Sequence, residues 1–432
     1  MKITVVGMGK IGLPLAVQFA TKGHSVIGAD VVQRTVDLIN SGTAPFPGET
    51  GLQEKLTSVV AAHSLTATLD TVDAVSQSDA VVVVVPLFVD QDGVPDFGWM
   101  DNATDSIGRG LRKGTLVSYE TTLPVGTTRD RFLPALMAAS GLSETDIDVV
   151  FSPERVLTGR TFADLRKYPK LVGGVSTKAA AAGVAFYESV LDFDPRPDLP
   201  RANGVWDLGS SEASELAKLA ETTYRDVNIG LANQFARYAD RRGIDIYSVI
   251  DACNSQVFSH IHQPGIAVGG HCIPIYPQMY LWNDPEATIV RAARAANRGM
   301  PQYAVSLLEQ HHGSLAGQRV AVLGASYRGG VKETAFSGVF DVVDALKSAG
   351  AIPLVNDPLY TAEELAALGF ANYEFGEPVD AVVVQANHSE YAKVGAEHIP
   401  GARTIVDGRG VTSHALRTAV PTYVIGAASI TL

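Results

Sequence analysis

Short apolar runs recur along the first half of the chain, and each gives way to a polar or glycine-rich stretch. Amphipathic segments separate these runs, which lie at residues 3–6, 25–29, 80–85, 116–119 and 148–151. Buried strands that alternate with helices are typical of a parallel sheet with helices on both faces. The pattern therefore predicts an α/β fold with a doubly wound sheet in this half of the chain.

The same alternation returns towards the carboxyl end. A strand, a glycine turn and a helix start are expected within residues 319–328, a helix at residues 339–349, and further strands at residues 380–385 and 404–406. This segment lacks a full Gly-x-Gly-x-x-Gly motif. Its pattern nevertheless predicts a second Rossmann-like doubly wound domain.

Between the two halves lies one long helical pattern, predicted at residues 210–242. Ser210 is expected to cap its first turn, arginines fill its last turn, and Gly243 ends it. A helix of this length extends roughly 50 Å, which is more than one domain needs. We therefore expect it to bridge the two halves and to supply a dimer surface. Shorter helices are predicted at residues 246–254 and 288–311.

The chain is accordingly expected to have three parts. Residues 1–205 form a dinucleotide-binding Rossmann domain, residues 206–310 a central helical domain for dimerisation and the active site, and residues 311–432 a second nucleotide-binding Rossmann-like domain. The predicted fold class is α/β, with two Rossmann-like doubly wound domains joined by a long central helix and a helical domain.

Composition excludes several classes of function. The formal charge of −12 disfavours a general nucleic-acid role. The two cysteines, Cys253 and Cys272, are too few for a disulfide framework or a structural zinc site, and they suit a reducing compartment. The longest apolar run, residues 80–86, is too short to span a bilayer, and the amino-terminal strand leaves no room for a signal peptide. A cytoplasmic protein is expected.

The glycines that follow the first strand carry the clearest chemical signal. Gly7-Met-Gly9-Lys-Ile-Gly12 stands between a strand and a helix, the context in which this motif binds the pyrophosphate of a dinucleotide. Asp30 ends the second strand at a suitable distance to accept hydrogen bonds from the ribose hydroxyls. Its carboxylate repels a 2′-phosphate and favours NAD over NADP, although Arg34 weakens this preference slightly.

Polar residues also follow the later strands, where ligands of doubly wound sheets bind. Thr127 or Thr128 is expected to cap the next helix. Thr122 lies before the turn and is not expected to cap a helix. A loop glutamate often pairs with a basic neighbour such as Arg155. The position of Glu154 at a strand end equally favours a role in the site.

The long helix and the loop after it supply further candidates. Lys218, Thr222 and Arg225 share one helix face, which is either a solvated surface or the wall of a cleft. Cys272 follows two glycines and a histidine, and a thiol presented in this way can attack a carbonyl carbon. An isolated cysteine is more often a small buried hydrophobe, and we expect this for Cys253.

Three cations, Arg328, Lys332 and Arg409, are expected at strand ends of the second Rossmann-like domain, where phosphates bind. With these motifs in order, the whole chain resembles the nucleotide-sugar 6-dehydrogenase family, the NAD-dependent enzymes of UDP-glucose, UDP-N-acetylhexosamines and GDP-mannose. Ser-Pro-Glu-Arg, Tyr-Arg-Asp-Val-Asn-Ile and Gly-Gly-His-Cys-Ile-Pro carry the resemblance at their separations. The long helix looks most like that of UDP-N-acetylmannosamine and UDP-N-acetylglucosamine 6-dehydrogenases.

The resemblance implies a four-electron oxidation of the sugar C6 hydroxymethyl group to a carboxylate. Cys272 would hold the aldehyde as a thiohemiacetal and then the acid as a thioester. Lys218 would stabilise the oxyanion, and Glu154 and Thr122 would orient or activate the hydrolytic water. Thr222 is a further catalytic candidate.

The resemblance also implies which residues bind the two ligands. The expected NAD-binding residues are Gly7, Gly9, Lys10, Ile11, Gly12, Asp30, Arg34, Pro86, Thr121, Thr122, Glu154 and Arg328. The expected UDP-sugar-binding residues are Glu154, Arg155, Lys218, Arg225, Asn228, Gly265, Gly269, Gly270, Tyr327, Arg328 and Arg409. A homodimer is expected, with no metal, nucleic acid or membrane.

Several positions depart from the family pattern. Thr222 stands where asparagine is expected, Tyr276 where aspartate is expected, Ile266 and Ala267 where proline and glycine are usual, and Ala335-Phe-Ser337 where Arg-Glu-Ser is usual. No arginine or lysine occurs between Arg242 and Arg291, where many relatives carry an arginine that reaches the partner's site. The alternatives are a UDP-glucose 6-dehydrogenase, a two-electron hydroxyacid-type dehydrogenase and a non-catalytic nucleotide-sugar sensor.

Overall fold

The computed structural model describes residues 1–90 and 92–427. The chain forms two compact units, one that ends at Ala220 and one that begins at Glu221. Residues 428–432, at the end of the predicted third domain, lie outside the described residues.

The first unit is built on a twisted sheet. Its strands are β1 (Lys2–Val6), β2 (Ser25–Ala29), β3 (Leu65–Thr68), β4 (Ala80–Val83), β5 (Phe88–Val89), β6 (Pro95–Asp96), β7 (Leu116–Tyr119), β8 (Asp148–Phe151), β9 (Lys170–Gly174) and β10 (Val205–Asp207). Among the described residues, eight of these strands form one sheet in the order β10-β9-β8-β7-β4-β1-β2-β3, and β5 and β6 form a small hairpin. The strand order reverses between β1 and β4, the point at which sheets of this kind bind their ligands.

Helices connect these strands. They are α1 (Gly12–Thr21), α2 (Gln33–Asn40), α3 (Leu52–Ala61), α4 (Thr71–Ser76), α5 (Gly98–Gly110), α6 (Leu133–Ser140), α7 (Thr161–Lys167) and α8 (Thr177–Val190). The central strands β1, β4, β7 and β8 are buried almost throughout. Both faces of the sheet are therefore covered, which explains why these strands appear in the sequence as continuous apolar runs.

One pair of neighbours in this sheet departs from the parallel pattern. β8 and β9 are antiparallel, with Phe151 opposite Gly173 and Val150 opposite Gly174. An antiparallel pair needs no crossover to the far edge of the sheet, because the chain re-enters at the edge where it left. The first residue of β9, Lys170, therefore lies at the carboxyl edge of β8.

A long helix, α9 (Ser211–Arg242), runs from the first unit into the second. It matches the predicted helix to within one residue, and the hydroxyl of Ser210 accepts from the backbone N–H of Ala213 at 3.2 Å, as expected for its cap. The helix has 32 residues and extends about 48 Å.

Further helices follow α9 in the second unit. They are α10 (Ile246–Asn254), α11 (Tyr276–Asn283), α12 (Thr288–Arg298) and α13 (Met300–His312). The single helix predicted at residues 288–311 is thus two helices, because the chain breaks at Gly299 and Pro301 starts a new first turn. On α10, Ile246 and Ile250 are buried and Cys253 lies half-buried at the border of their stripe.

The second sheet contains β11 (Arg319–Leu323), β12 (Ile352–Asn356), β13 (Ala381–Val384), β14 (Thr404–Asp407) and β15 (Thr422–Val424), accompanied by α14 (Val339–Ser348), α15 (Ala362–Ala367) and α16 (His414–Ala419). All its neighbouring strands are parallel, in the order β12-β11-β13-β14-β15. Val320 and Val322 pack in one core on one face, and Ala321 and Leu323 pack in a second core on the other. Two doubly wound sheets confirm the predicted fold class.

The turn after β14 is organised by one buried carboxylate. Oδ1 of Asp407 accepts from the N–H groups of Arg409 and Gly410 at 3.0 and 2.8 Å, and Oδ2 accepts from the N–H and hydroxyl of Thr412 at 2.8 and 2.6 Å. The side chain of Asp407 is fully buried. It therefore fixes the backbone that carries Arg409.

Asp407→Asn should lower the free energy of unfolding by about 2 kcal/mol, because an amide N–H₂ replaces one acceptor and leaves buried donors without a partner. Urea unfolding measures this loss. Asp344→Asn, at an exposed position of α14, should change stability by less than about 0.5 kcal/mol. Equal effects of the two substitutions would contradict this role for Asp407.

Candidate active site

The glycine turn between β1 and α1 lets the backbone pass close to a ligand. Gly7 has φ of +93°, and a Cβ on it would lie 2.9 Å from the carbonyl oxygen of Val84. A Cβ on Gly12 would lie 1.8 Å from the carbonyl oxygen of Gly7, whereas Gly9 has open space beside it. Among the described residues, no side chain caps the start of α1 at Ile11. The turn therefore lets a pyrophosphate come close to the backbone at the start of α1, and it fits NAD.

Asp30 stands beside this turn at the end of β2. Its Oδ2 accepts from the N–H of Met8 at 2.8 Å, and its Oδ1 accepts from the N–H of Val32 at 2.9 Å. Arg34 is exposed at the start of α2. The carboxylate is therefore held at the edge of the glycine turn, as the predicted contact with the adenosine ribose requires.

The remaining cofactor candidates of this unit lie along the same edge of the sheet. Pro86 is exposed beyond β4, and the hydroxyl of Thr121 donates to the carbonyl oxygen of Val85 at 2.6 Å. Thr122 is buried directly after Thr121. Lys10 is exposed on the glycine turn. The hydrogen bond of Thr121 joins the loops that follow β4 and β7.

A buried charge cluster occupies the carboxyl ends of β7 and β8. Nζ of Lys170 lies 2.7 Å from Oε2 of Glu120 and 3.0 Å from Oε2 of Glu154. The hydroxyl of Tyr187 donates to Oε1 of Glu120 at 2.7 Å, and Oε1 of Glu154 accepts from the N–H of Arg155 at 2.7 Å. One ammonium group therefore faces two carboxylates in a region with little access to water.

The cluster shifts the pKa values of its two carboxyl groups in opposite directions. Burial raises the pKa of Glu120 to about 7, and the charge of Glu154 adds to this rise against the opposing charge of Lys170. Burial alone would raise the pKa of Glu154 as well, but the charge of Lys170 and the hydrogen bonds to this carboxylate outweigh it and lower the pKa. Glu154 is therefore the ionised member of the pair near neutral pH.

Lys218 on α9 lies next to this cluster. Its Nζ donates to the backbone carbonyl oxygen of Glu154 at 2.7 Å, and its side chain is buried. One turn earlier, Glu215 accepts from the N–H of Gly126 at 2.6 Å and from the N–H and hydroxyl of Thr128 at 2.9 and 2.7 Å. Burial raises the pKa of Glu215 to about 7. Glu215 thus joins the first turns of α9 to the segment after β7.

The predicted capping role of Thr127 or Thr128 is wrong. The hydroxyl of Thr127 donates to the carbonyl oxygen of Pro124 at 2.7 Å, and that of Thr128 donates to Glu215. Among the described residues, the π-helical turn that begins at Thr128 has no side-chain cap at Thr127. The carboxylate of Glu215, distant in sequence, accepts the amides that a local cap would have taken.

Other residues that are predicted to contact the substrate lie beside Glu154 and on α9. The guanidinium group of Arg155 lies 5.9 Å from the ring of Tyr168, and the ammonium group of Lys170 forms an ion pair with Glu154. In the second unit, Thr222 is fully buried and Nε of Arg225 is buried without a hydrogen-bond partner among the described residues.

Asn228, one turn beyond Arg225 on α9, holds a loop of the second unit. Its Nδ2 donates to the carbonyl oxygen of His260 at 2.6 Å, and its Oδ1 accepts from the N–H of His262 at 3.0 Å. These bonds fix the segment that leads into the cysteine loop.

The cysteine loop, residues 265–274, is pinned along its first half. The N–H of Gly265 donates to Oδ1 of Asn233 at 2.9 Å, the N–H of Ile266 donates to Gly408 at 3.1 Å, and the N–H of Gly270 donates to Ala335 at 2.9 Å. Cys272 follows with partial exposure. The loop therefore lies across the ends of β11 and β14, and its thiol is not sealed in the core.

Ile266 and Ala267, two departures from the family pattern, each pack against a glycine of the second unit. A Cβ on Gly408 would lie 2.4 Å from Cβ of Ile266, and one on Gly338 would lie 2.2 Å from Cβ of Ala267. Ile266 is fully buried in the core of the second unit. The larger side chains of the loop thus fill the space that these two glycines leave open.

The cations of the second unit differ in their surroundings. Nε of Arg409 donates to the carbonyl oxygen of Gln385 at 2.8 Å and Nη2 to that of Ala267 at 3.1 Å. Burial lowers the pKa of Arg409 to about 10, so the side chain keeps its charge at neutral pH. Arg328 is exposed, 5.7 Å from the ring of Tyr327. Lys332 departs from the expectation, because its Nζ pairs with Glu364 at 2.6 Å on the surface.

Sequence reasoning missed three members of the buried cluster. Glu120 lies within the motif after β7, but nothing in the pattern shows that it faces inward. Lys170 precedes a short apolar strand, and Tyr187 belongs to an amphipathic helix. The only available signal was the charged residue directly before Leu171-Val-Gly-Gly, at the start of a buried strand.

The glycine turn and Asp30 make the first unit a dinucleotide-binding dehydrogenase domain. Sequence profiles of the UDP-glucose/GDP-mannose dehydrogenase family match the chain in order, with the NAD binding domain at residues 1–191, the central domain at residues 212–299 and the UDP binding domain at residues 321–414. The chain belongs to this family. The predicted resemblance, the NAD cofactor and the oxidoreductase class are confirmed.

Individual relatives cover nearly the whole chain. The UDP-N-acetyl-D-mannosamine dehydrogenase of Pyrococcus horikoshii is 33% identical over 95% of this chain and 96% of its own length. The NDP-N-acetyl-D-galactosaminuronic acid dehydrogenase of Ralstonia nicotianae is 30% identical over 95% of this chain and 96% of its own. The solved structure of the UDP-D-ManNAc dehydrogenase from P. horikoshii covers 100% of both chains at 30% identity, with a TM-score of 0.86.

Residues 1–90 and 92–427 contain neither a membrane-spanning helix nor a cluster of metal ligands. No helix in these ranges has the length and apolar character to cross a membrane. No group of three or more His, Cys, Asp and Glu side chains in the same ranges is arranged to hold a metal ion.

Asp30→Ala should raise the KM for NAD⁺ about tenfold, or about 1.4 kcal/mol, because the ribose hydroxyls lose their acceptor. The KM for NADP⁺ should rise less or fall, since the repulsion of its 2′-phosphate is also removed. Initial rates with each cofactor measure the ratio. Asp37→Ala, at an exposed position of α2, should leave the ratio unchanged. An equal loss for both cofactors in Asp30→Ala would contradict the assignment.

Proposed function

We propose that this protein oxidises the C6 hydroxymethyl group of a UDP-N-acetylhexosamine to the carboxylate, with UDP-N-acetylmannosamine and UDP-N-acetylglucosamine as the first candidates. The observation that carries the proposal is the 33% identity, over 95% of the chain, to a UDP-N-acetyl-D-mannosamine dehydrogenase. The product is a nucleotide-linked uronic acid of the kind used to build polysaccharides.

The overall reaction is R–CH₂OH + 2 NAD⁺ + H₂O → R–COO⁻ + 2 NADH + 3 H⁺. Bound NAD⁺ accepts one hydride in each of the two oxidations. A route of this kind needs a covalent holder for the aldehyde, and the Cys272 thiolate is the proposed nucleophile. Its sulfur adds to the aldehyde carbon to give a thiohemiacetal, the second oxidation gives a thioester, and hydrolysis releases the acid and the thiolate. The partial exposure of Cys272 in a pinned loop supports this role.

Lys218 and Glu154 supply charge for these steps. The buried ammonium group of Lys218 is proposed to stabilise the oxyanions at C6. Glu154, the ionised carboxylate of the buried cluster, is proposed to accept a proton from the hydrolytic water, with Thr122 orienting that water. Thr222, buried one turn beyond Lys218, is the proposed replacement for the amide that relatives carry at this position.

The UDP-sugar is proposed to bind through backbone groups and cations. Arg409 and Arg328 would hold the diphosphate, with Tyr327 beside them, and the glycines of the cysteine loop would let the ligand approach the backbone. The buried Nε of Arg225, which has no hydrogen-bond partner among the described residues, supports a contact with the ligand. Arg155 and Asn228 complete the proposed set.

We assign one proposed role to each of the three domains expected from the sequence. Residues 1–205 would bind NAD, residues 206–310 would supply the long helix and the cysteine loop, and residues 311–432 would bind the UDP group. The family profiles at residues 1–191, 212–299 and 321–414 support this order.

A homodimer in the cytoplasm is also proposed. The large apolar side chains of Tyr224, Leu231, Phe235 and Tyr238 recur at seven-, four- and three-residue spacing on α9 and are 54%, 44%, 38% and 50% exposed. An apolar stripe of this length on a long helix fits a second copy of the same helix. Both cysteines are free thiols, which fits a reducing compartment.

The number of NADH molecules released per sugar tests the function. With limiting UDP-N-acetylmannosamine, or another member of a panel containing UDP-N-acetylglucosamine, UDP-N-acetylgalactosamine, UDP-glucose and GDP-mannose, absorbance at 340 nm should report two NADH per sugar consumed. Cys272→Ala should form no acid while still binding NAD⁺ and the UDP-sugar, and Cys253→Ala should behave as the wild type.

Each other outcome points to a different function. One NADH per sugar would indicate a two-electron dehydrogenase, and tight binding without turnover would indicate a sensor. Two NADH with UDP-glucose alone would keep the mechanism and replace the proposed sugar. Normal steady-state turnover of Cys272→Ala would exclude covalent catalysis.

Phe235→Glu should shift the protein from dimer to monomer in analytical ultracentrifugation, because a charge in the centre of an apolar interface loses its water without gaining a partner. Leu69→Glu places the same charge on an exposed apolar side chain of the first unit and should leave the dimer intact. A wild-type monomer, or a Phe235→Glu dimer of unchanged affinity, would contradict the proposed interface.

A further inference from the structure

Lys170 is the central cation of the buried cluster and has no place in the roles assigned so far. Its side chain is 4% exposed, and those of Glu120 and Glu154 are 0% and 11% exposed. The ammonium group bridges one oxygen of each carboxylate, at 2.7 Å from Glu120 and 3.0 Å from Glu154. A lysine is rarely buried to this extent unless it is paired. The two carboxylates therefore stabilise the ammonium group of Lys170 in its buried position.

Glu120 and Tyr187 both contact Lys170 and are themselves fixed by hydrogen bonds. The second oxygen of Glu120 accepts from the hydroxyl of Tyr187 at 2.7 Å, and this hydroxyl lies 2.7 Å from that of Ser118 on β7. Nζ of Lys170 also lies 4.8 Å from the centre of the Tyr187 ring. Glu120 is thus an anchored partner, whereas Glu154 belongs to the loop at the strand end and lies closer to solvent.

We propose that Lys170 is a positioning residue for hydrolysis of the thioester: its ammonium group holds Oε2 of Glu154 in place and keeps that carboxylate ionised. The inference rests on the proposed function, in which Glu154 is the base. An O–H bond of water breaks and its proton passes to Glu154 as the water oxygen bonds to the thioester carbon. The C–S bond then breaks, and its electron pair leaves on the sulfur of Cys272.

The charged and titratable groups around Glu154 support this role. Glu120 follows β7, Tyr187 lies on α8, and Lys218 approaches from α9 to the backbone carbonyl oxygen of Glu154. Arg155 and Tyr168 flank the loop beside Lys170.

Asp164 also faces this loop, and its carboxylate pairs with Arg160 and accepts from the N–H of Leu157. The ammonium group of Lys170 is in direct contact with the Glu154 carboxylate. The lowered pKa of Glu154 beside this ammonium group agrees with the assignment.

The test compares variants at Lys170 in the full-length enzyme with UDP-N-acetylmannosamine, or the sugar of the panel that the wild type oxidises. Lys170→Met should lower kcat on the order of 10- to 100-fold, less than the roughly 100- to 10,000-fold that a general base itself contributes, and KM should fall with kcat because slow hydrolysis lets a covalent intermediate accumulate. After a chemical quench during turnover, intact-mass spectrometry should show the uronyl thioester accumulating on the enzyme. The acid limb of the kcat profile should move up by roughly one to three pH units.

Two further variants separate charge from folding. Lys170→Arg retains the cation and should restore both the wild-type acid limb and a low thioester fraction. Because Lys170→Met leaves two carboxylates without a cation, it is also made in the Glu120→Gln background, which removes two opposite charges together. Glu120→Gln alone should keep the wild-type acid limb, whereas the double variant should show the upward shift.

The outcomes distinguish this inference from the proposed function. If the wild type releases two NADH and the double variant hydrolyses the thioester with an unshifted acid limb, the role of Lys170 is wrong. A loss of kcat without thioester accumulation would likewise reduce Lys170 to a structural residue. If the wild type forms no thioester with any sugar of the panel, the proposed function fails and this role fails with it.

Discussion

The charge balance of one buried cluster governs the chemistry of the first unit. Two carboxylates and one ammonium group stand at the carboxyl ends of β7 and β8, and removal of the ammonium group would take from both buried carboxylates the cation that they share. This constraint makes the two glutamates unequal, because Glu120 is fully enclosed and Glu154 has the open side. Lys218 joins the cluster through the backbone carbonyl of Glu154. The catalytic candidates of this unit therefore share one electrostatic environment.

In the second unit, hydrogen bonds to neutral groups hold the candidate site residues in place. The cysteine loop is held by backbone hydrogen bonds to Gly408 and Ala335 and by the amide of Asn233. Arg409 binds two carbonyl oxygens and keeps its charge, while Asp407 fixes the turn that carries it. A protein with a formal charge of −12 thus carries a local positive charge just after β14.

The departures from the family pattern fall into two groups. Ile266 and Ala267 replace proline and glycine without a penalty in packing, because Gly408 and Gly338 leave room for their side chains. Thr222 and Tyr276 stand at positions where the family resemblance leads us to expect an amide and a carboxylate. Glu154 in the buried cluster is a carboxylate whose pKa is lowered by Lys170 and by hydrogen bonds.

The sequence by itself determined the two doubly wound sheets, the glycine turn with Asp30, the length of α9 and the family. These features depend on local periodicity and on motifs of a few residues, which tertiary contacts seldom override. Tertiary structure alone decided that β9 is antiparallel to β8 and brings Lys170 to Glu120 and Glu154, and that Glu215 rather than a threonine serves the turn after β7. The partners in these contacts are separated by 50, 16 and 87 residues. No local pattern specifies such pairs, because they form only when the sheet is complete and each buried charge must find a partner.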